Sequence, residues 1–241
     1  MRYHLLFVGT GGTGTYVLKE FSRYLFKNEE VLSKIAGMYL VDGDVVEEKN
    51  LTRQSFAEED IGYNKATVMA EVLNDAFGLK YEAYAKYIIN QGEVADIVGS
   101  VLSKDVVVIV SCVDNHGARL VLEKYFMNEK TLNCVYIDTA NEYEEGECVV
   151  AIKATGKVVA PPRTHYFPNI LEGDVRNVVE MSCEELNVSS PQHILTNMTS
   201  ALHVLANLVQ LLEKGIVTGG FSSFDVFSKH SKEYPYEESS D

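Results

Sequence analysis

Tyr3-His-Leu-Leu-Phe-Val-Gly9-Thr-Gly11-Gly12-Thr-Gly14 is the stretch that decides the fold. Residues 3–8 form an apolar run of strand length that stops at Gly9, and a helical pattern follows over roughly 15–27. Glycines let the backbone turn sharply and let a phosphate approach without a Cβ in the way. The following helix turns free N–H groups and the positive end of its dipole toward an anion. Strand, glycine loop and helix together predict a nucleotide site. The competing reading is a glycine turn kept for close packing.

The rhythm continues outward from that loop. Residues 36–42 read as a second strand ending on Asp42, and 44–60 are polar and turn-like. A helix over about 63–77 carries Ala66, Met69, Leu73 and Ala76 or Phe77 on one face, with a strand near 80–88 and a short helix near 92–98 behind it. Asp105-Val-Val-Val-Ile-Val-Ser111 is a continuous β-branched run, the pattern of a parallel strand covered on both faces. A helix near 116–128 and a strand at 134–138 follow. Strands alternating with helices predict an α/β, Rossmann-like, mostly parallel sheet flanked by helices. After residue 140 the rhythm changes. Residues 147–153 read as a strand, while 154–190 show no sustained period and hold three of the five prolines, the mark of a long crossover. Pro191 opens a long amphipathic helix to about Lys214, with Gly215 as its stop and a terminal strand or hairpin at 216–227.

Composition narrows the function classes. The chain has 241 residues, 46% hydrophobic and 23% charged, which suits one large folded domain. Thirty-five acidic against 21 basic residues leave a charge of −14. That balance argues against nucleic acid and against anionic lipid as partners. No apolar stretch approaches bilayer length, so no membrane partner is expected. The four cysteines, 112, 134, 148 and 183, form no CxxC pair, so no structural zinc is expected. A reducing, cytoplasmic setting is the expectation. The six histidines show no metal-ligand spacing.

Four polar groups gather around the glycine loop. Asp42, 28 residues past Gly14, is placed to accept hydrogen bonds from ribose hydroxyls, with Asp44 as competitor for that role. Asn50-Leu-Thr-Arg53-Gln54 follows, and Lys65 lies in the first turn of the next helix. A lysine there opposes the helix dipole unless an anion such as a triphosphate lies nearby, although a merely exposed lysine is the alternative. Arg53 and Lys65 bring two positive charges to the loop, which phosphoryl or nucleotidyl chemistry needs and hydride transfer does not. Asp114 and Asn115 follow the most buried strand, at the sheet end where ligands bind in open α/β folds. Asp114 reads as a Mg²⁺ ligand or as the cap of the helix near 116.

These blocks resemble the family of ThiF, MoeB and the adenylation domains of ubiquitin-activating enzymes. The matching signatures are Gly9-Thr-Gly-Gly-Thr-Gly14, Leu40-Val-Asp42-Gly-Asp44 through Asn50-Leu-Thr-Arg53-Gln54, Asp60-Ile-Gly62-Tyr-Asn-Lys65-Ala66, and Cys112-Val-Asp114-Asn115 with Arg119, in family order. The resemblance implies one adenylation domain over 1–228, with 154–190 as its crossover and 229–241 as an acidic, disordered tail. It implies ATP and Mg²⁺, and a carboxylate that attacks the α-phosphate to give an acyl-adenylate and pyrophosphate. The expected partner is a ubiquitin-like or sulfur-carrier protein ending in Gly-Gly, or a peptide. Carried across, Gly9, Gly11, Gly12 and Gly14 hold phosphates and Asp42 the ribose. Arg53 and Lys65 stabilise the triphosphate, Asn50 and Gln54 line the site, and Asp114 positions Mg²⁺. Cys183, in Met181-Ser-Cys-Glu-Glu, sits where relatives carry a thioester or persulfide cysteine, though two glutamates beside it disfavour a thiolate.

Departures from the family pattern are also plain. The zinc-binding CxxC pairs of several relatives are missing, and Arg2 is the one arginine ahead of the first strand, where relatives place an arginine that reaches across a dimer. The long helix at 191–214 reads as core or as a homodimer surface. A non-catalytic partner subunit and an NAD(P)-dependent oxidoreductase are the alternative functions.

Overall fold

A computed structural model describes residues 1–172 and 192–237. The β-branched run forms strand β4 (Val106–Ser111), and its side chains alternate between two cores. Val108 and Val110 enter one cluster, with Leu5, Phe7, Val17, Phe21, Met69 and Leu73. Val107 and Ile109 enter the other, with Leu6, Val8, Ile97, Leu122 and Phe126. A strand buried on both faces needs no polar alternation, which is why the run is apolar throughout. Each such side chain, fully buried, contributes about 1.5–3 kcal/mol.

Strands β1 (Tyr3–Val8), β2 (Ile35–Val41), β3 (Tyr81–Tyr84), β4 and β5 (Cys134–Asn141) are parallel, in the spatial order β3-β2-β1-β4-β5. Helices α1 (Gly12–Leu25) and α3 (Lys65–Phe77) cover the first core, and α4 (Gln91–Val98) and α5 (His116–Met127) the second. A short helix, α2 (Glu29–Leu32), fills the crossover before β2. The sheet then turns antiparallel. Strand β6 (Glu145–Ala154) pairs with β5, β7 (Lys157–Ala160) and β8 (Gly220–Asp225), and β9 (His230–Pro235) closes that side on β8. Helix α6 (Arg163–Tyr166) lies between β7 and the long α7 (Ile194–Lys214), which packs Ala201, Val204, Leu208 and Leu212 into the first core. The result is a Rossmann-like sheet of nine described strands with an antiparallel extension.

Several boundaries differ from the sequence reading. Helix α1 starts at Gly12, because the glycine motif itself supplies the first turn. Strand β3 ends at Tyr84, well short of 88. Helix α7 begins at Ile194 with His193 as its cap, and Pro191 lies outside the described residues. Residues 154–172, read as featureless, hold β7 and α6. Residues 230–235, read as part of a disordered tail, form β9. That strand is exposed on every residue and shows no apolar alternation; its anchor is Tyr234 stacked on Phe221 at 4.4 Å between ring centroids. No helix among the described residues is long and apolar enough to cross a membrane.

Candidate active site

The parallel order reverses direction between β1 and β4, and the loops after both strands meet there. This is the switch point where open α/β sheets bind ligands. Gly9 adopts φ +89, and a Cβ on it would lie 2.8 Å from the Cys112 carbonyl oxygen. The loop is stitched on both sides: Gly9 N–H donates to Val41 O at 2.9 Å, and Cys112 N–H to Val8 O at 2.9 Å. A Cβ on Gly14 would stand 2.0 Å from the Gly9 carbonyl oxygen, so that glycine lets α1 close on the loop. Gly11 is different. Its nearest neighbour to a built Cβ is Gln54 Nε2 at 3.9 Å, and α1 starts there with no side-chain cap and no acidic residue in its first turn. The helix end is therefore uncapped and open, as an anion site requires.

Asp42 follows β2 and faces the same loop. Its Oδ2 accepts from Thr10 N at 2.6 Å and from Thr10 Oγ1 at 2.9 Å, and its Oδ1 accepts from Asp44 N at 2.8 Å. Burial, then the neighbouring Asp44 charge, raises its pKa above the ordinary carboxylate value. Asn64, the cap of α3, donates through Nδ2 to the carbonyls of Asp42 and Asp44, so the exit of β2 and the start of α3 form one unit. Lys65 is thereby held inward, 6% exposed, with Nζ 3.0 Å from Asp44 Oδ2. The anion beside this lysine is a carboxylate of the chain itself. Burial works against the Asp44 charge, but Lys65 and a hydrogen bond from Tyr87 outweigh it and hold its pKa below the usual value. Tyr87 lies against Gly43, where a Cβ would stand 2.5 Å from the ring, and its hydroxyl feels the charges of Asp44, Asp42 and Asp114. The motif blocks did not contain Tyr87.

Asp114 lies exposed just beyond β4, and the cap of α5 is Asn115, whose Oδ1 accepts from Ala118 N at 2.9 Å. The capping alternative for Asp114 is thus filled by its neighbour, which leaves the carboxylate facing solvent at the switch point. Arg119 fixes this loop from below. It donates to the carbonyls of Val113 and Thr139 and pairs with Asp138 at 3.3 Å. Asp138 also pairs with Arg163, which reaches Glu147 at 3.0 Å. Burial opposes the Asp138 charge, and the two arginines overcome it, so its pKa sits below the ordinary value.

The remaining predicted residues divide. Gln54 is buried beside Gly11, with Oε1 lacking a partner. Arg53 donates from Nη1 to Gln192 Oε1 at 3.0 Å. Asn50 is 3% exposed, and its Oδ1 accepts from Glu47 N at 2.8 Å, so one end of its amide shapes the loop. Gly12 lies under Asn197, whose carboxamide a Cβ would meet at 2.8 Å. Cys183 lies outside the described residues. Burial pushes the Cys148 thiol up to about 12 and raises those of Cys112 and Cys134, so none of these three is a ready thiolate. Sequence reading missed Tyr87, Asn141, Gln192 and Asn197, which stand in no quoted motif and which only the fold brings to the loop, and it gave no role to Thr13 inside the glycine motif. Among the described residues no three His, Cys, Asp or Glu side chains gather as a metal cage.

Comparison with solved structures agrees with this architecture. E. coli MccB crystallised with ATP superposes with a TM-score of 0.67 at 18% identity, over 98% of this chain and 64% of that one. The microcin C7 biosynthetic enzyme MccB in complex with N-formylated MccA gives 0.67 at 17%, over 98% and 65%. PaaA gives 0.65 at 14%, over 97% and 64%. The chain thus spans slightly under two thirds of the length of these structures, and at such identities the likeness is one of fold. A comparison with curated protein sequences finds no match. The family model described as the ThiF family matches residues 1–240, and the chain belongs to that family.

Proposed function

We propose that this chain is an adenylyltransferase that activates a C-terminal carboxylate with ATP. The observation that carries the reading is the open, uncapped start of α1 at Gly11, with the Lys65 and Arg53 blocks beside it and Asp114 at the facing strand end. Family membership supports the same chemistry. The MccB structures with ATP and with MccA support a peptide or carrier substrate. In this reading the glycine loop and α1 N–H groups hold the phosphates and Asp42 the ribose. Gln54 and Asn50 line the pocket beside them, and Asn115 holds the loop that carries Asp114.

A substrate carboxylate oxygen attacks the α-phosphorus, the bond from that phosphorus to the bridging oxygen breaks, and pyrophosphate leaves with its electron pair. Lys65 and Arg53 stabilise the negative charge on the equatorial and leaving oxygens. The chain's contribution is alignment and electrostatics, and no side-chain nucleophile is needed. Mg²⁺ bound by Asp114 and phosphate oxygens would neutralise charge there; an exposed single carboxylate suits that ion, which usually keeps several waters.

The substrate is read as a ubiquitin-like or sulfur-carrier protein with a Gly-Gly end, or a peptide. Cys183 is the one candidate for a later thioester. On α7, Leu195, Met198 and Leu202 are 46, 48 and 65% exposed, a stripe that supports pairing with a second copy. The free thiols at 112, 134 and 148 fit a reducing, cytoplasmic setting.

The test is ATP–pyrophosphate exchange with Mg²⁺ and candidate carriers or peptides. Exchange that needs both the substrate and Asp114, lost in Asp114→Ala, is the expected result. A protein that binds no ATP overturns the reading. Cys183→Ser, assayed for a gel-stable thioester, decides the later step.

A further inference from the structure

Arg53 is an obligate donor, because a guanidinium has no acceptor. The Gln192 atom on it at 3.0 Å is therefore the carbonyl oxygen. That oxygen also receives a bond from Asn197 at 3.1 Å, so the Asn197 atom must be Nδ2. The same Nδ2 donates to Thr13 Oγ1 at 3.2 Å, and the Thr13 hydroxyl donates on to Asn141 Oδ1 at 3.4 Å. Gln192 Nε2 closes the circuit on the Asn141 carbonyl at 3.3 Å. One positive charge thus sets the direction of every bond in the chain. The ordered amides run from Arg53 to the first turn of α1 and to the end of β5. Asn197 is fully buried, its carboxamide lies on Gly12, and Thr13 is 4% exposed.

We propose that Gln192 and Asn197 are positioning residues that hold the Arg53 guanidinium in register with the glycine loop. Gln192 supplies the acceptor, and Asn197 locks that amide so its oxygen faces the arginine. Arg53 is half-buried on a side chain with four rotatable bonds, and among the described residues its side-chain hydrogen bond goes to Gln192. The geometry of the arginine is thereby tied to the helix end that would hold phosphate. The inference rests on the adenylation reading only for what Arg53 does, not for how it is held.

Two variants test it. Gln192→Met keeps the side-chain length and removes the acceptor; Gln192→Glu keeps an acceptor on Nη1. Gln192 is half-buried, so both proteins are expected to fold, and their melting temperatures check this. The first readout is the rate at which phenylglyoxal modifies Arg53 in the native protein, followed by mass spectrometry. Gln192→Met should label faster than wild type and Gln192→Glu should be protected as wild type is. The second is pyrophosphate exchange, where Gln192→Met should lower kcat by about tenfold with the KM for ATP nearly unchanged, the size expected for one hydrogen bond to a charged group. Equal labelling in wild type and Gln192→Met, or no recovery in Gln192→Glu, overturns the proposal. A wild-type protein without exchange activity defeats the adenylation reading instead, and the labelling comparison still decides this one.

Discussion

Replacing Gly11 and Gly14 one at a time by alanine separates a glycine kept for a ligand from one kept for packing. At Gly11 the new methyl meets nothing closer than Gln54 Nε2 at 3.9 Å, so the side chain has room. Removing a glycine from the unfolded chain stabilises by about 0.4–1 kcal/mol where the native backbone tolerates it. Gly11→Ala should therefore melt within a few degrees of wild type, since about 1 kcal/mol moves Tm by roughly 2–4 °C at this size. Its methyl nevertheless projects into the space in front of the uncapped helix end, and ATP affinity should fall by about tenfold or more, or about 1.4 kcal/mol. Gly14→Ala puts a methyl 2.0 Å from the Gly9 carbonyl oxygen, well inside van der Waals contact. The loop or the helix must move, at a cost of about 1–3 kcal/mol or more, and Tm should fall clearly. Thermal unfolding and titration calorimetry with ATP measure both. Wild-type ATP affinity in Gly11→Ala, or wild-type Tm in Gly14→Ala, refutes the assignment of these two roles.

Other outcomes follow from the charged groups. Asp138→Asn strips the partner from two buried arginines and should cost about 3–5 kcal/mol in urea unfolding. The folded pKa of Asp138 is depressed, so its contribution is present above the ordinary aspartate value near 3.9 and is lost as pH falls through the folded value; the wild type should lose stability over that acid window more steeply than Asp138→Asn. Tyr87→Phe removes a donor from the Asp44 carboxylate, and the Asp44 titration followed by ¹³C NMR should move upward, with no movement refuting the bond. Iodoacetamide at pH 8 should leave Cys134 and Cys148 unmodified until the protein unfolds, because burial keeps both as thiols.

The parallel half of the fold was legible because its signals are local. A β-branched run such as Val106–Ser111 and a glycine loop after an apolar strand each carry their meaning in adjacent residues. The antiparallel half was less so. Strand β9 has no apolar face, and its pairing with β8 comes from backbone bonds and one stacked tyrosine. At the site, the positions of Asp42, Lys65 and Asp114 followed from strand ends and helix starts. The partners of those residues did not. Lys65 meets Asp44 because Asn64 bonds both carbonyls of the preceding loop, and Asp114 stays uncommitted because Asn115 takes the cap. Thr13, Asn141 and the pair Gln192 and Asn197 converge from three separate stretches of chain, so no spacing in the sequence announces them. Asp138 sits inside an apolar strand, where only the arrival of Arg119 and Arg163 makes a charge tolerable.

The polar strand β9 also bears on how the molecule behaves in a crowded solution. A sheet margin offers a row of unsatisfied N–H and C=O groups on which a foreign strand can grow. Here that margin is six residues long, fully solvated, carries Lys232 and Glu233, and ends at Pro235, which has no N–H to offer. Growth of a second sheet would have to bury those charges and accept a missing bond. The apolar strands β1 and β4, which would aggregate readily if bared, lie at the middle of the sheet behind it. Truncation ahead of His230 would expose β8, with Phe221 and Phe224, as the new margin, and the shortened protein should precipitate at concentrations where the intact chain stays clear.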